Sequence, residues 1–175
     1  MTKAELRNEM KKRQAAFSPS QAECEFREFR ERIEADPDFI KAGTVLLYMS
    51  IDGEIPTEEL ISEWYGRKRI ALPAVCGDNL VLREYSPESM IAGYKGIVEP
   101  GPSATELSPS EIDFAIIPGT AFSFTGHNTC KRLGRGKGFY DRLIPHLHCR
   151  CVPAGWSFRF VGDLPTDEWD AELHI

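Results

Sequence analysis

The apolar positions change period along the chain, and the changes mark its elements. Near the start, Leu6, Met10 and Phe17 form a sparse stripe at helical spacing, while Lys3, Arg7 and Lys11 recur every four residues and share another face. The spacing predicts a first helix. Ser18-Pro19-Ser20-Gln21 then reads as a second helix start, with Ser18 as cap, Pro19 at the first helical position and Gln21 closing a capping box. Ala22, Phe26, Phe29 and Ile33 continue that helix until Asp36-Pro37 ends it.

From there the pattern shortens. Thr44 to Met49 is a brief continuous apolar run, the mark of a strand buried on both faces. Asp52-Gly53 marks a turn, and Thr57-Glu58-Glu59 opens a helix through Leu60, Ile61 and Trp64. Arg69–Pro73 and Leu80–Tyr85 predict further strands. Residues 86–110, rich in Pro, Ser and Gly, predict a long surface segment. Ile112–Ile117 is another apolar strand, stopped by Pro118-Gly119. A glycine-rich loop follows, then a helix from about Gly138 to His146 and a late strand from Cys151 to Trp156. Strands separated by helices imply an α/β architecture with a largely parallel sheet. Ligands of such sheets bind beyond the carboxyl ends of strands, which directs attention to the loops after Met49 and after Ile117.

Composition narrows the picture. A length of 175 residues fits one domain, residues 1–175. No apolar run approaches the ~20 residues that span a bilayer, so no membrane partner is expected. The segment Met1–Gln14 is charged and periodic, without the apolar stretch of a secretory signal, and the expected location is the cytoplasm. Five cysteines, an odd number, suit reduced thiols better than a disulfide framework. The formal net charge of −6 disfavours a general nucleic-acid surface.

Against that acidic background one segment stands out: Lys131-Arg132-Leu133-Gly134-Arg135-Gly136-Lys137-Gly138-Phe139-Tyr140-Asp141. Its glycines let backbone N–H groups approach an oxyanion, a following helix adds its N-terminal dipole, and Arg and Lys supply charge-assisted bonds to phosphate. Asp141 can hold Mg²⁺ through its carboxylate. The string is neither a Walker A, which needs Gly-Lys-Ser/Thr, nor Gly-x-Gly-x-x-Gly, since position 139 is Phe. A second signal is Gly53-Glu54-Ile55-Pro56-Thr57, where Glu54 can accept hydrogen bonds from a ligand's N–H donors or simply sit at a positive helix end. The Lys3/Arg7 face reads either as a ligand contact or as a solvated surface. His146, His148, Cys149 and Cys151 resemble a metal cluster in composition only, because no second Cys/His pair stands at zinc-ribbon spacing. Cys130 lies beside the cations, which would lower its thiol pKa.

Taken together these segments resemble the 5-formyltetrahydrofolate cyclo-ligase (5,10-methenyltetrahydrofolate synthetase) family. The matching pieces are Lys3-Ala4-Glu5-Leu6-Arg7, the Gly53–Thr57 segment, Gly96-Ile97-Val98-Glu99-Pro100, Ile117–Phe122 and Arg132–Arg142, in the family's order. The resemblance implies a three-layer α/β/α fold of the NagB/RpiA/CoA-transferase type with a mostly parallel central sheet. It implies ATP as co-substrate, Mg²⁺ as cofactor and 5-formyltetrahydrofolate as substrate; a monomer is expected. Lys3 and Arg7 match a basic pair that contacts ATP. Arg132, Gly134, Arg135, Gly136, Lys137, Gly138 and Tyr140 match the nucleotide-phosphate loop, with Arg135 and Lys137 stabilising γ-phosphate charge and also facing the folate. Met49, Glu54 and Phe139 match folate-pocket positions, Asp141 a magnesium ligand, and Asp170, after Leu164-Pro165, a second metal-site carboxylate.

The chain departs from the family pattern in four places. His127-Asn128-Thr129-Cys130-Lys131 stands where the family usually has a single residue, lengthening the approach to the loop. Phe139 replaces the usual Tyr, Lys95 stands where an aromatic often precedes Gly-Ile (leaving stacking to Tyr94), and the chain ends at Ile175, where the family usually continues. Two rival readings remain at this level. One is a non-catalytic nucleotide- or phosphate-ligand-binding protein on the same fold, and the other is a metal-binding module built on the late His and Cys residues.

Overall fold

The computed structural model describes residues 1–126 and 128–175. Its chain opens with α1 (Lys3–Ala16) and α2 (Pro19–Glu34), as the periodicity predicts. Ser18 caps α2 by accepting from the Gln21 N–H, but the Gln21 side chain turns to Glu25 instead of closing a capping box. Asp36-Pro37 does more than end α2. Asp36 accepts from the Asp38 N–H and, with Pro37 at the first helical position, starts α3 (Pro37–Lys41).

The strands and remaining helices follow as β1 (Thr44–Leu46), α4 (Glu58–Trp64), β2 (Arg69–Cys76), β3 (Asn79–Glu84), β4 (Met90–Ala92), β5 (Val98–Pro100) and β6 (Glu106–Leu107). After these come β7 (Phe114–Pro118), β8 (Ala121–Phe124), β9 (Thr129–Leu133), α5 (Phe139–Leu143), β10 (Arg150–Ala154) and β11 (Leu173–His174). The central sheet has the order β10-β7-β1-β2-β3-β6. Its first four strands are mutually parallel, and β3 and β6 extend it in antiparallel register. β1 lies between β2 and β7, so the chain leaves the middle of the sheet in both directions and a crevice opens beyond β1 and β7.

Burial on both faces explains the unbroken apolar runs. Val45, Ile70, Leu72, Phe114, Ile116 and Val152 face one side and pack with Phe29 and Ile33 of α2, Phe39 of α3 and Leu60, Ile61 and Trp64 of α4. Leu46, Ala71, Ala115, Ile117 and Cys151 face the other. That second side departs from a full helical layer. It is covered by the short α5 and the 3₁₀ turn after it (Leu143, Ile144, Leu147), and by Phe122, Cys130 and Leu173 of the three-stranded antiparallel sheet β11-β9-β8. The α1 helix rests on this smaller sheet through Leu6 and Met10, which pack with Ala121, Leu133 and Leu164.

Two sequence expectations change. Residues 86–110 are not merely a surface segment, because β4 and β5 pair as a hairpin, Met90 opposite Pro100, whose turn reaches over the crevice. The glycine-rich stretch after Gly119 is mostly the β8–β9 ladder, with Phe122 opposite Arg132 and Ala121 opposite Leu133. Of the residues before Arg132, Thr129, Cys130 and Lys131 belong to β9, and the Thr125 N–H donates to Thr129 O at 3.1 Å at the far end of that hairpin. His127 lies outside the described residues. No helix among the described residues is long and apolar enough to cross a membrane.

Candidate active site

The segment after β1 is locked by a reciprocal ring of hydrogen bonds. The Ser50 N–H donates to Thr57 Oγ1 at 3.1 Å and the Thr57 N–H to Ser50 Oγ at 3.0 Å, while the Thr57 hydroxyl donates to Tyr48 O. Thr57 thus closes the loop instead of capping α4. Inside this ring Glu54 turns back on its own loop, and its Oε2 accepts from the Ile51 N–H at 3.1 Å. Its Oε1 lies 3.1 Å from Arg135 Nη2. Glu54 is therefore not a helix-end carboxylate but one aimed across the crevice at the glycine-rich loop.

That loop starts at the end of β9 and leads into α5. Gly136 (φ +102°) and Gly138 (φ +68°) occupy left-handed backbone that an L side chain strains to adopt, and a Cβ on Gly138 would meet Arg142 Nη1 at 2.6 Å. The loop is held from α1, where Arg7 Nε donates to Gly134 O at 2.9 Å, and from within, where Arg142 Nη2 donates to Lys137 O at 2.9 Å. Arg135 and Lys137 are left exposed on it, and Lys137 makes no ion pair among the described residues. The expected helix dipole contributes little, since α5 has only 5 residues before its 3₁₀ extension.

Arg132 differs from its neighbours. It is 6% exposed, its Nε donates to Pro118 O at 2.7 Å, and its guanidinium lies 4.9 Å over the Tyr140 ring. Its Nη1 stands 3.5 Å from Asp141 Oδ1, and neither of these buried atoms has a hydrogen-bond partner. Burial pulls the Arg132 pKa down, and the Asp141 carboxylate pushes it back up. Burial likewise raises Tyr140, so its hydroxyl stays protonated. Arg132 is thus a buttress that orients Pro118, Tyr140 and Asp141.

Two chambers meet at this point. The first, about 250 Å³, is walled by Tyr48, Met49 and Glu54 after β1, by Tyr94 and Glu99 of the β4–β5 hairpin, and by Lys137, Phe139 and Asp141. The second, about 570 Å³, is lined by Arg7, Lys11 and Gln14 of α1, by Gly119 and Thr120 after β7, and by Arg159. Glu54, Gly119 and Arg135 border both, so the Glu54–Arg135 ion pair is the partition between them. Phe139 packs edge-on against Tyr94, with ring centroids 5.7 Å apart, and this contact joins the glycine loop to the hairpin. Tyr94 thereby supplies the aromatic wall that Lys95 does not.

Lys3 does not line either chamber. Its ammonium sits 2.6 Å from Asp167 and 2.5 Å from Asp170, and Asp170 Oδ2 also accepts from the Asp167 N–H. The Asp170 carboxylate is thus engaged with Lys3 and its own turn. Asp141 differs, because its Oδ1 is buried without a hydrogen-bond donor beside the glycine-rich loop, an arrangement that would suit a protein ligand to Mg²⁺. No group of three or more His, Cys, Asp or Glu among the described residues could hold a metal on its own. His146 and His148 are exposed, Cys151 is buried in β10, and its thiol faces Cys149 O, so the late cluster does not converge. Cys130 is fully buried, and burial pushes its thiol up to about 11, the reverse of an activated cysteine.

Glu99, in a segment that carries the family resemblance, turns its Oε2 to accept from the Val75 N–H, while Trp156 and Arg159, not singled out by the sequence as site residues, both donate to Gly53 O. These contacts join residues far apart in the chain, and only the fold reveals them.

Comparison with known proteins agrees with the geometry. A 32%-identical relative, the 5-formyltetrahydrofolate cyclo-ligase of Escherichia coli, aligns over 173 residues, 94% of this chain and 93% of its own length. The enzyme of the same name from Haemophilus influenzae is 34% identical over 142 residues, covering 76% of this chain and 74% of that protein. Among solved structures, Aquifex aeolicus 5,10-methenyltetrahydrofolate synthetase superposes with a TM-score of 0.86 at 32% identity, covering 99% of this chain and 87% of that one. A Mycoplasma pneumoniae 5,10-methenyltetrahydrofolate synthetase, 23% identical with a TM-score of 0.76 over 99% of this chain and 96% of its own, shares the fold. The model of the 5-formyltetrahydrofolate cyclo-ligase family matches residues 1–175, and the chain belongs to that family.

Proposed function

We propose that this chain catalyses the ATP-dependent closure of 5-formyltetrahydrofolate to 5,10-methenyltetrahydrofolate, releasing ADP and phosphate, with Mg²⁺ as the metal. The observation that carries this reading is the partition. A carboxylate suited to a heterocycle's N–H donors is ion-paired, at 3.1 Å, to a cation suited to phosphate, where a chamber walled by Tyr48, Tyr94 and Phe139 meets one lined by Arg7, Lys11 and Arg159. The first chamber takes the reduced folate and the second the nucleotide, whose terminal phosphate passes Arg135 to reach Lys137 and Asp141 in the wall of the first.

The chemistry explains the need for that meeting. A formamide oxygen is a poor leaving group. Attack of the N5-formyl oxygen on the γ-phosphorus forms an O–P bond, breaks the bond to ADP and leaves a phosphorylated iminium. N10 then attacks the formyl carbon, gives up its proton, and phosphate departs with the former formyl oxygen. The residues mainly position and neutralise. Glu54, its Oε2 pinned by the Ile51 N–H, exchanges Arg135 for ring N–H donors. Arg135, once released, and Lys137 stabilise charge on the transferring phosphoryl group, and Arg7 on α1 faces the rest of the nucleotide. Asp141 is the proposed protein ligand of Mg²⁺, which when bound supplies charge neutralisation across phosphate oxygens. The metal role expected of Asp170 and the direct nucleotide contact expected of Lys3 are not carried forward, because the two residues bind each other.

We also read the chain as one domain, a cytoplasmic monomer acting on small molecules and not on nucleic acid or membranes. The family match over residues 1–175 supports the first point, and a net charge of −6 the exclusion of nucleic acid. The test is an absorbance assay with 5-formyltetrahydrofolate, Mg²⁺ and ATP. Growth of the methenyl chromophore only when ATP is present supports the proposal. Bound nucleotide without product would instead favour the non-catalytic reading.

A further inference from the structure

Arg159 is a buried cation whose hydrogen bonds all go to neutral acceptors, with the Glu54 carboxylate offsetting part of the burial at a distance. It is 9% exposed and forms no ion pair with a carboxylate among the described residues. Its Nη1 donates to Thr120 O at 2.9 Å, and its Nη2 donates to Gly53 O at 2.8 Å and to Gln14 Oε1 at 3.0 Å. Its Nε is buried without any hydrogen-bond partner. The three acceptors stand on three separate walls of the second chamber: Gln14 on α1, Gly53 directly before Glu54, and Thr120 after β7. Trp156 Nε1 donates to the same Gly53 carbonyl at 3.1 Å, so the Glu54 turn hangs from two donors of the Trp156–Arg159 segment.

A brace alone does not require a charge. A cation buried among neutral acceptors is costly unless a counter-charge offsets it. The surroundings indicate where that counter-charge belongs. Arg7, Lys11, Arg135 and Arg159 all line the second chamber, with only Asp52 and Glu54 opposing them there. The excess of cations suits a polyanion, and Arg159 stands in the wall that the polyanion would face.

We infer that Arg159 is a positioning residue of the nucleotide chamber: it fixes the spacing of α1, the Glu54 turn and the loop after β7, and it supplies a permanent positive charge behind the bound polyphosphate. This rests on the nucleotide occupying the second chamber. Arg159 acts through Gln14, Gly53 and Thr120 and by its field, so its loss should weaken ATP capture more than it slows the saturated reaction.

The experiment compares wild type, Arg159→Gln, Arg159→Lys and Gln14→Ala in steady-state kinetics, in isothermal titration with ATP, and in thermal melting. Arg159→Gln is expected to raise KM and Kd for ATP by about tenfold or more while kcat falls less than about threefold. Arg159→Lys, which keeps the charge, recovers part of the loss. Gln14→Ala, which cuts the brace at α1, shifts KM for ATP in the same direction by a smaller factor. If Arg159→Gln does not fold, Arg159→Lys and Gln14→Ala decide the matter. Folded variants with lower melting temperatures but KM for ATP within about twofold of wild type would overturn the inference and leave Arg159 a purely structural arginine. Wild type that binds no ATP and forms no methenyl product would instead overturn the functional reading itself, and the inference with it.

Discussion

Replacing Glu54 by glutamine tests the partition from both sides. The side chain is isosteric, and its retained carbonyl oxygen can still accept from the Ile51 N–H, so the loop should keep its shape. Two things are lost: the charge that meets the folate ring, and the hold on Arg135. Glu54 is 15% exposed at its side chain, so its contact with ring N–H donors is largely desolvated and charge-assisted. Losing that assistance costs about 1.5–3 kcal/mol, or about 10- to 150-fold in KM for 5-formyltetrahydrofolate. The Arg135 side is different. Its side chain is 52% exposed, and a pair so open to solvent contributes no more than about 1 kcal/mol. Freeing Arg135 should therefore leave ATP affinity in the absence of folate unchanged, or tighten it by up to about fivefold. The assay is a pair of substrate titrations, monitored by methenyl absorbance, together with calorimetry of ATP binding to the folate-free protein. Equal increases in KM for both substrates, with weaker ATP binding, would refute the partition and point to general damage of the site.

Other substitutions probe the remaining parts. Lys137→Met keeps the length of the side chain and removes only the ammonium, so kcat should fall by ~10²–10³ in a folded protein that still binds folate; turnover within about twofold of wild type would remove the lysine from the phosphoryl-transfer machinery. Asp141→Asn should shift the Mg²⁺ titration to higher concentration and lower turnover, and a normal titration would place the metal on other groups.

The central sheet was legible because each of its parallel strands is buried on both faces. Val45 and Leu46, or Phe114 and Ala115, point to opposite cores, so the sequence shows apolar runs instead of alternation. The loops after Met49 and Ile117 were legible for a related reason, since strand ends in a parallel sheet point to a crevice. Glycines beside Arg135 and Lys137 marked the loop in which Gly136 and Gly138 take left-handed backbone. Other elements were hidden. The β9 strand carries Lys131 and Arg132, whose charges read as loop, yet Arg132 is buried because Pro118 O, Tyr140 and Asp141 enclose it. The β4–β5 hairpin was missed because Ile91 and Val98 stay exposed and its short strands lack a periodic core face. Asp36-Pro37 read as a terminator, although the same dipeptide is a good helix start. The helical face that Lys3 shares with Arg7 did not show its ion pairs, because the carboxylates of Asp167 and Asp170 lie at the other end of the chain. Arg159 was invisible for the same reason, its partners being set by the fold and not by neighbours in sequence.

If folate and nucleotide meet across the Glu54–Arg135 partition, the formyl oxygen itself takes the γ-phosphoryl group. Oxygen tracing tests this directly. The folate is prepared with ¹⁸O in its formyl group, converted in a single turnover, and the released phosphate is examined by mass spectrometry. The account predicts one ¹⁸O atom in each phosphate, with methenyl product formed in equal amount. Phosphate carrying only solvent or ATP oxygen would show that the phosphoryl group never reached the formyl oxygen, and would contradict the account.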